Sequence, residues 1–132
     1  MKIGDKYVLK TKVTDELTAA QIGSGALNVF GTPFLLAQME KAALTYLNEF
    51  IPEGKSTVGT MATVNHTAPS PVGIEVTVEV EVTAISENQK MIDFSMIAYD
   101  EFGEIGNGTH QRAFVDAVRF VDKCYARLEN IC

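Results

Sequence analysis

The chain has 132 residues, of which 46% are hydrophobic and 21% charged, proportions that fit a single globular domain over residues 1–132 and exclude wholesale disorder. Eleven basic against seventeen acidic side chains give a net charge of −6. That balance argues against nucleic acid or an anionic membrane as the main partner, since both need a cationic footprint; a local cluster of Lys and Arg could still hold a phosphate.

The N-terminal Met1-Lys2-Ile3-Gly4-Asp5 has no apolar run of the signal-peptide kind. The most apolar stretch, residues 34–47, contains Gln38, Glu40 and Lys41 and is too short to span a bilayer. A soluble, cytoplasmic protein is expected. Cys124 and Cys132 are expected as reduced thiols: two cysteines make no disulfide framework, and no Cys/His spacing resembles a zinc site.

Residues 7–13 read as a first strand, rich in β-branched and aromatic side chains. Residues 14–28 are polar and small, an irregular stretch with a helical turn around 16–21. The clearest boundary is Gly31-Thr32-Pro33, where Thr32 reads as a helix N-cap and Pro33 as the first helical residue, whose missing N–H costs nothing there. The helix predicted over residues 34–50 carries Leu35, Leu36, Met39, Ala42, Ala43, Leu44, Leu47 and Phe50 around most of its circumference, so it should be buried. Pro52-Glu53-Gly54 ends it.

Every later segment up to residue 118 reads as strand. In residues 57–67, Val58, Ala62, Val64 and His66 share one parity, and Pro69-Ser70-Pro71 with Gly73 makes the next turn. Residues 74–85 alternate Ile74, Val76, Val78, Val80 and Val82 with Glu75, Thr77, Glu79, Glu81 and Thr83, the pattern of an antiparallel strand with one wet face. Turns at 86–89 and 100–103 bound strands over 91–99 and 104–118, and residues 124–130 close the chain as a short helix. Strand, long buried helix and four strands make an α+β fold, a mostly antiparallel sheet curled around one helix. The open edge of so small a sheet invites a second copy, so a homodimer is expected.

No phosphate-binding glycine loop, dinucleotide fingerprint or nucleophile elbow is present. Gly106 and Gly108, inside a strand, mark a bulge or a close approach of backbone. A metal site would rest on two histidines, and none is expected. The informative residues are polar ones at apolar positions. Glu40 is either part of a solvated strip with Lys41 or a desolvated carboxylate suited to act as base or nucleophile. His66 is a satisfied structural histidine or a catalyst; Arg112, with the parity of Phe114, is at an odd place for an unpaired cation and would ordinarily be in an ion pair with a nearby carboxylate; His110 shares that parity without a role.

In chain order these residues resemble the fluoroacetyl-CoA thioesterase family of hotdog-fold hydrolases. The resemblance runs through Val29-Phe30-Gly31-Thr32-Pro33-Phe34, Met39-Glu40, Val58-Gly59-Thr60, Val64-Asn65-His66-Thr67-Ala68, Pro71-Val72-Gly73 and the run from Gly106 to Arg112. It implies a hotdog fold and a catalytic group of Thr32, Glu40 and His66. It also implies that the Gly59 backbone and the Arg112 side chain hold the thioester, that acyl-CoA enters at a dimer interface, and that no metal or redox cofactor takes part. The fluoroacetyl-specific enzyme carries an aromatic lid upstream of its Thr, whereas residues 21–27 here contain no aromatic side chain. A different short acyl group is therefore the expected substrate.

In the expected reaction Glu40 activates water or attacks the carbonyl itself, His66 shuttles the proton, Thr32 orients water or the imidazole, and the Gly59 amide stabilises the oxyanion. Eight residues of regular helix separate Thr32 from Glu40 by about 12 Å, so substrate, water or a second subunit has to bridge them unless the helix starts late. The competing reading is a non-catalytic acyl-CoA or small-ligand binding module on the same scaffold. A hotdog hydratase ranks third, because no paired Asp/His pattern surrounds the helix start.

Overall fold

A computed structural model describes residues 1–131. Strand β1 (Lys6–Lys12) leads through a 3₁₀ turn (Asp15–Leu17) and a single helical turn, α1 (Ala19–Ile22), to the long helix α2 (Thr32–Asn48). Strands β2 (Lys55–His66), β3 (Glu75–Ile85), β4 (Met91–Asp100) and β5 (Gly103–Asp116) follow, then helix α3 (Ala117–Ala126) and a last 3₁₀ turn (Arg127–Asn130). The five strands form one antiparallel sheet in the order β1-β3-β4-β5-β2. The expected α+β hotdog architecture is what these residues form.

The alternation of β3 drives the packing. Val76, Val78, Val80 and Val82 are all at most 1% exposed and meet Leu35, Met39, Ala42, Ala43 and Leu47 of α2 in one core. The glutamates of β3 stay on the outer face, where Glu75, Glu79 and Glu81 pair loosely with Lys6 and Lys10 of β1. Gly106 of β5 serves the helix: a Cβ there would stand 2.8 Å from the Asn65 carbonyl and 2.9 Å from Leu35 Cδ2. The close approach expected of this glycine is thus the seating of α2 on the sheet.

Three local expectations are overturned. Thr32 is not the helix cap. Gly31, extended at φ −78° and ψ 138°, holds that position without a side-chain bond, and α2 begins at Thr32 itself, two residues earlier than expected. The cap was predicted because a hydroxyl before Pro usually turns back on its own helix; here it has a stronger partner across the fold, described below. Val58 does not share a face with Val64 and His66, because a bulge between Gly59 and Met61 adds a residue to β2 and reverses parity behind it. Thr57 and Gly59 lie on the His66 face instead. Finally, β5 ends at Asp116, whose side chain accepts a hydrogen bond from the Arg119 amide at 3.0 Å, so residues expected to extend the strand or link it to a helix at 124 form α3. Cys124 is a free, exposed thiol, and Cys132 lies outside the described residues. No helix among the described residues is long and apolar enough to cross a membrane.

Candidate active site

The hydroxyl of Thr32, released from capping, lies 2.7 Å from His66 Nδ1. Thr32 opens α2, and His66 ends β2 opposite Gly106, whose missing side chain lets α2 approach the sheet closely here. The loop after His66 is fixed from below: Ser70 is buried, donates its hydroxyl to Asp100 at 2.7 Å, and accepts the Phe30 amide at its carbonyl. Phe30, 1% exposed, stands edge-on to the His66 ring. Burial pushes the His66 pKa below its ordinary value, with the Ala68 backbone acting in the opposite sense, so the imidazole is neutral near pH 7. Its Nε2 is buried and has no hydrogen-bond partner among the described residues. An unpaired buried nitrogen costs about 1–3 kcal/mol, and such a cost is usually tied to a role. A cavity of about 280 Å³, lined by Ala19, Ser24, Phe30, Thr32, His66 and Ala68 among others, opens beside this pair.

A second cluster gathers around Gly59. A Cβ built on Gly59 would lie 3.2 Å from Glu40 Oε2, 3.1 Å from His110 Cε1 and 3.5 Å from Arg112 Nη1. The glycine therefore leaves space that three functional groups face. Arg112, 7% exposed, donates from Nε to the Thr57 hydroxyl and from Nη2 to the Thr57 carbonyl, each at 3.0 Å, and from Nη1 to His110 Nε2 at 3.2 Å. His110, 1% exposed, donates from Nδ1 to the Met61 carbonyl at 2.8 Å. A carbonyl can only accept, so the proton of His110 sits on Nδ1 and Nε2 is free to receive Arg112. Burial lowers the His110 pKa first, the Met61 bond opposes that, and the Arg112 charge lowers it again. Neutral His110 thus works as a brace between the bulge and the guanidinium.

Glu40 is half-buried on the flank of α2, and its charge favours the protonated forms of Arg112 and His110. It is neither a freely solvated side chain nor sealed in the core. Arg112 is held by Thr57 and His110, where a close ion pair with a carboxylate was the structural alternative. Two of its five N–H donors remain for a ligand beside Glu40. Neither His110 nor Thr57 carries a sequence signal for this part beyond the parity that His110 shares with Arg112.

Gly59→Ala should leave the fold intact, since the contacts it tightens are at 3.1–3.5 Å and involve side-chain ends. It should displace Glu40 and the His110 ring by a few tenths of an ångström, while Arg112 at 3.5 Å stays in ordinary contact, and lower kcat/KM by about tenfold or more. Equal activity in Gly59→Ala and wild type, read by steady-state kinetics, would mean that the cleft at Gly59 is not where chemistry occurs.

The five expected site residues therefore fall in two groups. Thr32 and His66 touch; Glu40, Gly59 and Arg112 converge elsewhere. About 20 Å of extended strand separates His66 from Gly59 within one protomer.

Residues 13–118 match the model of the fluoroacetyl-CoA-specific thioesterase family. A fluoroacetyl-CoA thioesterase of Streptantibioticus cattleyicolor is 34% identical over 92 residues, a match covering 70% of this chain and 65% of that relative's length. Among solved structures, a single-residue mutant of the fluoroacetyl-CoA-specific thioesterase FlK in complex with fluoroacetate and CoA superposes with a TM-score of 0.85 at 28% identity, over 91% of this chain and 99% of that one. A hot-dog-like protein from Thermanaerovibrio acidaminovorans superposes with a TM-score of 0.87 at 27% identity, over 96% and 93% of the two chains. With the family model matched from the residue after β1 to the first turn of α3, the chain belongs to the fluoroacetyl-CoA-specific thioesterase family.

Proposed function

We propose that this protein is a cytoplasmic, single-domain hydrolase that converts short-chain acyl-CoA thioesters to free acid and coenzyme A. It acts as a homodimer whose active sites each draw on two subunits. The observation that carries this reading is the buried, unpaired Nε2 of His66 held by Thr32 at one end of β2, with Glu40 and Arg112 flanking Gly59 further along the same strand.

The two edges of the sheet differ in a way that supports the dimer. Edge strand β1 carries Lys6, Lys10 and Lys12, the usual guard against pairing with another chain. Edge strand β2 has no charged residue between Lys55 and His66, and Gly59, Thr60, Met61, Ala62 and Thr63 are exposed. Antiparallel pairing of two β2 strands about the middle of that run sets His66 of one subunit within about three residues, some 10 Å, of the other's Gly59. The two half-sites then face one substrate.

Water attacking the thioester carbonyl gives its proton to Glu40, and the tetrahedral oxyanion is held by Arg112 and the Gly59 backbone. Collapse breaks the C–S bond, and the departing thiolate takes a proton through His66. A carboxylate in this place can also attack the carbonyl itself to form an anhydride that water then opens. The cavity beside Thr32 and His66 suits a small acyl group. Ile22 and Leu27, the large apolar side chains of residues 21–27, are 46% and 69% exposed and do not line it, so discrimination there is by size, at about 1–3 kcal/mol per methylene.

The test is release of free coenzyme A thiol from a panel of short acyl-CoAs. Turnover of several of them is expected, with a ratio of kcat/KM for fluoroacetyl over acetyl well below ~10⁴. Stoichiometric binding without turnover would replace this reading with the binding module.

A further inference from the structure

A second, larger cavity of about 560 Å³ lies at the C-terminal end of α2 and is lined by the start of β2, the β3–β4 turn, the end of β5 and one side of α3. Its volume is that of a typical small-molecule site. Four of the chain's eleven basic residues line it, Lys55, Lys90, Arg119 and Lys123, in a molecule whose net charge is −6. Asp116 is the only carboxylate among the lining residues, and one of its oxygens is already used to cap α3. Four cations gathered from separate segments around one opening repel each other and together raise the local concentration of anions. Phe50, Phe114 and Phe120 give the same cavity an apolar lining suited to a flat ring.

The cavity is also built rather than incidental. Lys90 follows Gln89, which adopts a left-handed φ of 60° to turn the chain. The Lys90 amide donates to Asn88 Oδ1 at 3.0 Å, and its carbonyl accepts the Phe114 amide at 2.8 Å, so this cation hangs from a pinned backbone. Its place relative to the reaction centre follows from strand pairing. Gly59, Thr57 and Lys55 lie opposite Arg112, Phe114 and Asp116, all on one face of the sheet. From Arg112 to Asp116 is therefore about 13 Å along a single continuous face.

We propose that this cavity binds the phosphorylated nucleotide end of the acyl-CoA substrate. The phosphates rest among Lys55, Lys90, Arg119 and Lys123, the base lies against the phenylalanines, and the pantetheine arm spans the distance back to the thioester. The proposal rests on the thioesterase reading above and adds to it the site that distinguishes a coenzyme A ester from any other thioester. Binding energy gathered there, remote from the reacting atoms, holds the carbonyl at Glu40 and Arg112.

The experiment compares two substrates with one acyl group: the short acyl-CoA turned over best, and the matching acyl-pantetheine, which keeps the thioester and lacks the nucleotide. The double variant Lys90→Glu/Lys123→Glu is set against Lys10→Glu/Lys12→Glu, which changes the charge equally at the far sheet edge. The cavity variant should lose about tenfold or more in kcat/KM for the acyl-CoA, mostly through KM, and nothing for the acyl-pantetheine. The control should match wild type on both. Adenosine 3′,5′-bisphosphate should compete with the acyl-CoA in the wild type and not in the cavity variant. An equal effect on both substrates, an effect shared by the control, or no effect overturns the proposal. If the wild type hydrolyses neither substrate, the thioesterase reading has failed. Calorimetric titration with adenosine 3′,5′-bisphosphate then judges the cavity by itself: binding that the cavity variant loses supports it, and absence of binding overturns it.

Discussion

Glu40→Gln should fold as the wild type does and hydrolyse acyl-CoA at least ~10²-fold more slowly, at the low end of what a general base contributes. The substitution keeps the shape of the side chain and removes only its charge. Neighbours on α2 at positions 39, 42 and 43 form the core and do not depend on that charge, so the thermal midpoint should move by no more than a few degrees. What the variant loses is specific. An amide cannot take the proton of an attacking water and cannot become an anhydride, so both routes are blocked. The charge that opposes Arg112 and His110 also goes, yet Thr57, Met61 and their hydrogen bonds still hold those two side chains in place. A fall in kcat with KM nearly unchanged is therefore the expected pattern. Should Glu40→Gln keep full activity, the residue returns to being a solvated position on a buried helix.

How much of this was legible beforehand depended on whether the signal was local. The valines of β3 and the apolar circumference of α2 report burial residue by residue, and both elements formed where their periodicity put them. The bulge at Thr60 left no such trace. Gly59 and Thr60 fit a plain strand, and the extra residue is visible only in the pairing with β5, which moved Val58 off the His66 face. Thr32 misled for a related reason: its sequence context describes a cap, and only the fold brings in an imidazole 34 positions away to compete for the hydroxyl. The start of α3 was missed although Asp116 is an ordinary cap residue, because Val118 reads equally well as the last residue of a strand. The partners of Arg112 were hidden by chemistry. An unpaired cation suggests a carboxylate, whereas a threonine hydroxyl, a backbone carbonyl and a neutral histidine meet its needs here.

Mixing two inactive variants should restore activity, and this is the sharpest consequence of the proposed dimer with a site shared between its subunits. Glu40→Gln lacks the carboxylate and His66→Ala lacks the imidazole, and each homodimer is defective at both of its sites. In a heterodimer one site has lost both groups. The other joins an intact Glu40 from one chain to an intact His66 from its partner. Random pairing makes half of the dimers mixed, each with one working site in two, so an equimolar mixture after subunit exchange should reach about a quarter of wild-type activity. If Glu40 and His66 of the same chain work together, every site in the mixture keeps one defect, and the activity stays at the mean of the two parents. The distances favour the first outcome: within a protomer the imidazole and the Gly59 cleft lie about 20 Å apart, too far for a proton to pass from one to the other across a single thioester. His66→Asn serves as the second partner if the alanine variant unfolds, since an amide nitrogen or oxygen can still meet the Thr32 hydroxyl while no imidazole is left to carry the proton.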